Sequence, residues 1–77
     1  MKRINNDVNG NPRFVVHFYE LLNDNEGQGL DVFEKYNLAV KKARKVGGKM
    51  YRGKDFGGGI VFQSYDIQTT INKAKGV

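Results

Sequence analysis

The chain contains no cysteine, which excludes a disulfide framework, a thiolate nucleophile and a cysteine-ligated zinc site. That usage suits a reducing compartment, and the cytoplasm is the expected location. Long apolar runs are also missing. Nothing approaches the roughly 18 residues that a membrane span requires, and Met1-Lys2-Arg3 is not followed by the apolar core of a signal peptide. No membrane partner is expected. Serine and histidine occur once each, as Ser64 and His17. Nucleophilic catalysis needs a nucleophile, a base and an orienting group. Strand parity sets Ser64 with Phe62 and His17 with Val15, on different faces, so His17 reads as a half-buried strand residue.

Two motifs come close to known ligand loops and fail on chemistry. Gly48 to Lys54 fits the phosphate-loop spacing G-x-x-x-x-G-K, but Asp55 stands where a magnesium-binding Ser or Thr is required. Phe56-Gly57-Gly58-Gly59 then follows in place of a helix start. Asp24 to Lys35 imitates a calcium loop with Gly29 at its sixth position, yet Lys35 occupies the place of the bidentate glutamate. No enzyme activity, metal or cofactor is expected.

What the chain does have is a polarised charge distribution. Its 77 residues carry 13 Lys or Arg against 8 Asp or Glu, a formal charge of +5. From Glu20 to Glu34 there are five acids and no base, and from Lys41 to Lys54 seven bases and no acid. Without those seven, six bases face eight acids, so the basic excess lies wholly in that stretch. A chain this short is a single domain over residues 1–77, burying about 60% of its unfolded surface.

Punctuation and period give the elements. Asn9-Gly10-Asn11-Pro12 is a turn signal between Arg3–Val8 and Arg13–Leu22, which predicts an N-terminal hairpin. In the second arm, Phe14, Val16 and Phe18 share one face and Val15, His17 and Tyr19 the other. Asn23–Gly29 is a polar loop. Asp31 with Glu34 has capping-box spacing, and a helix is expected to run to Val46 and stop at Gly47-Gly48. Its apolar stripe is Val32, Tyr36, Ala39 or Val40, Ala43 and Val46. Lys49–Arg52 reads as a short strand, Gly53–Gly59 as a connection and Ile60–Tyr65 as a strong strand, together a second hairpin. Asp66 caps a short final helix with Ile67, Ile71 and Ala74 on one side. The fold class is α+β, in the order β-β-α-β-β-α: a small antiparallel sheet of two hairpins with a main helix and a short C-terminal helix.

Three features could carry binding. Lys41, Lys42, Arg44, Lys45, Lys49, Arg52 and Lys54 form a basic cluster across the helix end and the second hairpin, able to neutralise phosphates. The same bases also complement a helix dipole. Gly57-Gly58-Gly59 implies unusual torsions or a close backbone approach, as in a bulged hairpin. Tyr19 and Tyr65, with Tyr51, His17 and Gln63, fall on the sheet parity opposite Phe14 and Phe62. They could stack on unpaired bases, close a second small core or form a homodimer surface.

The stretch Gly47–Tyr65, with Asn9-Gly10-Asn11-Pro12-Arg13 upstream, resembles small uncharacterised proteins of bacteriophages and mobile elements over about half the chain. The resemblance implies a compact accessory protein in the host cytoplasm, without a family-level active site. The leading hairpin followed by a helix is also distantly similar to the arm-binding domains of phage-type integrases. The acidic loop after the strand departs from that pattern. The leading expectation is a non-enzymatic module that contacts DNA or RNA phosphates through the basic cluster, with Tyr19, Tyr51 or Tyr65 stacking. The alternatives are a phage-type inhibitor or adaptor that sets the same cations against an acidic protein surface, and a homo-oligomeric structural protein.

Overall fold

The computed structural model describes residues 1–23, 25–51 and 59–76. In chain order the elements are β1 (Lys2–Ile4), β2 (Arg13–Val16), α1 (Phe18–Leu21), α2 (Val32–Lys45), β3 (Lys49–Met50), β4 (Ile60–Gln63) and α3 (Ile67–Lys75). The strands form one antiparallel sheet in the order β1-β2-β4-β3. Both hairpins and both long helices stand where the sequence places them, and the class is α+β.

One element differs. The strand expected over Arg13–Leu22 ends at Val16, and α1 follows, with His17 as its extended N-cap residue. Continued pairing would have carried Leu21 and Leu22 to opposite faces of the sheet. One helical turn instead buries both in the same core as Val16 and sets Phe18 against that core. Ionic pairing supports the turn: Glu20 accepts from the N-terminal ammonium of Met1 at 2.7 Å. The other strand limits change as well, Arg3–Val8 to Lys2–Ile4, Ile60–Tyr65 to Ile60–Gln63 and Lys49–Arg52 to Lys49–Met50. Arg52 and the span from Gly53 to Gly58 lie outside the described residues, as does Asp24.

Caps close the helices as their residue types require. The Asp31 carboxylate accepts from the Glu34 amide at 2.8 Å, and Asp66 accepts from Thr69 at 3.2 Å. At the far end of α2, Gly47 adopts φ +84°, its amide reaches the Arg44 carbonyl, and the Gly48 amide reaches Ala43 at 2.9 Å. These are the two crossed bonds of a Schellman motif. The loop between β1 and β2 is organised by Asp7, which accepts from the amides of Asn9 and Asn11, both at 2.9 Å. Those bonds, the one from Asn11 foremost, hold its carboxyl below the usual range.

Phe14 faces Phe62 across β2 and β4, and Val16 faces Ile60. Phe62, Ile60 and Val16 bury against Ala39 and Ala43 of α2 and against Ile67, Ile71 and Ala74 of α3. The reverse face of the sheet centres on the paired Val15 and Val61, both buried. Space is tight at Gly48, where an added Cβ would stand 2.6 Å from Phe62 Cε1 and 3.1 Å from Ala43 Cβ.

Outside this core, Lys42 lies buried on the flank of α2 and forms an ion pair with Glu26 of the preceding loop. The bond from Lys42 is the main reason the Glu26 carboxyl sits below its ordinary range. A depressed carboxylate contributes stability above the ordinary range and loses it as pH falls through the lowered value.

Two outcomes follow from this packing. Gly48→Ala should lower unfolding stability by about 1–3 kcal/mol in urea titration, because the buried Phe62 ring cannot withdraw from the added methyl. Glu26→Gln should lower the melting temperature at neutral pH and flatten its decline on acidification. Lys42→Met, which removes the buried charge along with its need for a partner, should cost less. Calorimetry of the two variants across pH reads both effects, and an unchanged pH profile in Glu26→Gln would contradict the assigned ion pair.

Candidate functional site

On α2, the spacing 41, 44, 45 sets three cations along the solvent side of the last turns, and Lys41, Arg44 and Lys45 are all exposed. Position 42 falls on the inner flank, so Lys42 leaves the exposed set and is neutralised by Glu26. The Schellman turn reverses the chain into β3, where Lys49 is exposed and, opposite Val61, stands on the reverse face of the sheet, while Met50, opposite Ile60, faces α2. Among the described residues, Lys41, Arg44, Lys45 and Lys49 form no ion pair. Arg52 and Lys54, the remaining members of the predicted cluster, lie outside the described residues.

Arg44 and Lys49 stand on the rim of a cavity of about 260 Å³ between α2 and β3, whose other walls are Val40, Ala43, Gly48, Met50 and Ile60. Its floor is apolar and its rim cationic. Tyr36 directs its hydroxyl at the Met50 sulfur. Farther along the same side of α2, at positions 33, 37, 40 and 44, runs a stripe that begins with Phe33, 78% exposed. β3 pairs only with β4, and its other edge is open among the described residues.

The three tyrosines do not share a face. Tyr19 belongs to α1, is 65% exposed, and its ring stacks parallel to His17 at 5.6 Å. It borders a second cavity, about 440 Å³, with Asn23, Asn25, Gln28 and Lys35. Tyr65 stands beyond the end of β4, 43% exposed, with its edge toward Phe62 at 6.3 Å and its hydroxyl over Gly47. Tyr51 follows β3 and is half-buried. The common aromatic face required Tyr19 and Tyr65 to lie in strands. The helical turn at Phe18 and the left-handed Ser64, at φ 60°, end that parity before either ring is reached.

Phe33, Met50 and Glu26 are the residues that sequence reasoning left out. Phe33 carried a signal, since a large aromatic off the apolar stripe of an amphipathic helix has no place in its own core. Met50 and Glu26 carried none, because what each meets is set by chain segments distant in sequence.

Among the described residues, no helix is long and apolar enough to cross a membrane. Neither curated proteins nor solved structures yield a match to the chain. A family model described as Staphylococcus phage terminal repeat-encoded protein TreK matches residues 1–75. That match spans nearly the whole chain and agrees with the phage resemblance carried by Asn9–Arg13 and Gly47–Tyr65. The protein therefore belongs to the TreK family of Staphylococcus phage terminal repeat-encoded proteins.

Proposed function

We propose that the protein is a binding module that contacts nucleic-acid phosphates through Lys41, Arg44, Lys45 and Lys49. The observation that carries this reading is that Lys41, Arg44 and Lys45 at one helix end and Lys49 on the strand that follows are exposed and, among the described residues, without a carboxylate partner. Two other cationic groups are paired with carboxylates among the described residues. Lys42 is spent on Glu26, and the N-terminal ammonium on Glu20. Four phosphate contacts release condensed counterions, which gives affinity for any sequence and a steep dependence on salt. Tyr65 lines one cavity with Lys49 and Tyr51 follows β3, whereas Tyr19 stands apart on α1.

With four contacts on duplex DNA, the logarithm of the association constant should fall against the logarithm of salt with a slope of roughly −3 to −4. Reversing Lys41 and Lys45 together to glutamate should reduce that slope by about 2 and weaken binding to a random-sequence pool regardless of sequence. Both positions are exposed, so the variant should stay folded, with a melting temperature lowered only by the lost complement to the helix dipole. Fluorescence anisotropy over a salt series makes the measurement. Equal affinity of parent and double variant would remove the phosphate assignment.

A further inference from the structure

The face of the sheet turned away from α2 carries a polar cavity. Lys49 and Val61 share that face as a cross-strand pair, and Arg13 of β2 stands on it opposite Gln63 of β4. Where β4 ends, Asp7, Lys49, Gln63, Ser64 and Tyr65 line a space of about 240 Å³. Ser64 shapes it. Among the described residues it is the one non-glycine with a positive φ, 60°, and its amide donates to the Pro12 carbonyl at 2.9 Å. Backbone strain of this kind gathers at functional sites. Here it lets three consecutive residues, Gln63 to Tyr65, line one space, where a continued strand would turn the middle one away.

The aromatic and acidic walls are both fixed. The Tyr65 ring meets Phe62 edge-on, and its hydroxyl sits over Gly47, where an added Cβ would stand 2.5 Å from it. Held in this way, Tyr65 is still 43% exposed. In the Asp7 loop, the backbone amides of Asn9 and Asn11 both donate to Oδ1, so among the described residues Oδ2 takes only the Asn11 side-chain amide, at 3.3 Å. Oδ2 has room for a further donor. The Asn11 amide foremost holds this carboxyl below its ordinary range, which keeps it an acceptor at neutral pH.

We propose that this cavity takes one unpaired nucleobase bearing an exocyclic amino group, with the adjoining phosphate on Lys49. The base lies against Tyr65, its amino group donates to Asp7, and the Gln63 carboxamide, donor and acceptor both, meets the neighbouring ring atom. The space is smaller than the roughly 300 Å³ at which sites for drug-sized ligands begin, which suits a single base. Lys49 in the lining and Arg13 beside Gln63 offset the one acid and admit the phosphate. Cytosine presents an amine where uracil presents a carbonyl, whose oxygen would oppose the Asp7 carboxylate. The inference rests on the phosphate reading at Lys49 and adds to it a preference for single strands and amine-bearing bases.

The test compares equal-length single strands of oligo-dC and oligo-dU by fluorescence anisotropy at neutral pH and one salt concentration. The parent should bind oligo-dC about fivefold or more tighter than oligo-dU. Asp7→Asn keeps an oxygen for the loop amides and offers the ligand a donor, so the preference should vanish or reverse. Tyr65→Leu should weaken both strands about fivefold or more. Melting temperatures near the parent's show that the variants are folded. Should Tyr65→Leu unfold, the parent's preference and its response to Asp7→Asn still decide. Equal binding of the two strands by the parent, or a preference unchanged in Asp7→Asn, would overturn the proposal. The Lys41→Glu, Lys45→Glu variant separates the two readings. Equal strand binding that this variant weakens removes the base site and keeps the phosphate surface, whereas a dC preference that survives in it supports the base site. No binding of either strand by the parent overturns both.

Discussion

Phe62 lies fully buried beneath the turn that ends α2, with Gly48 and Ala43 pressed against its ring. Only small residues permit that approach, and the left-handed Gly47 makes the turn tight enough to reach it. The rest of the arrangement depends on this closeness. It holds the C-terminal half of α2 on the sheet, and it starts β3 within three residues of the helix end. It thereby sets Arg44 and Lys49 on the lining of one cavity, the Lys49 side chain sharing the sheet face of Val61. A bulkier turn would lift the helix from β4, widen the slot and separate the two cations.

The same packing divides the charges into two kinds. Lys42 faces inward and needs a carboxylate, which the acidic loop supplies as Glu26. Its neighbours Lys41, Arg44 and Lys45 face outward, where the α2 C-terminus favours them and water solvates them. A run of bases that looks uniform in sequence is therefore one structural lysine among several surface ones. The acidic stretch is partitioned likewise: Glu26 ties its loop to α2, Glu20 holds the chain terminus, and Asp31 caps α2.

Local rules made much of the fold readable. Asp31 and Asp66 announce helix starts because a short carboxylate satisfies free amides there, and Gly47 announces a stop because it accepts a positive φ. Alternation in Arg13–Val16 and Ile60–Gln63 identified the central strand pair. The aromatic face fails at two points where a local pattern meets a tertiary demand. Phe18 to Leu22 continues the strand pattern only weakly, and burying Leu21 and Leu22 together outweighs continued pairing. Tyr65 shares the parity of β4, but Ser64 turns the chain first.

Composition and spacing were enough to set the class, the two hairpins, the caps and the place of the basic excess, because each depends on residues within a few positions of one another. The strand order, the inward turn of Lys42, the exposure of Phe33 and the cavity between α2 and β3 came from the folded chain alone. Each of these depends on which distant segment packs against a residue. That choice is made by the shape of the whole core around Phe62, and no short stretch of sequence records it.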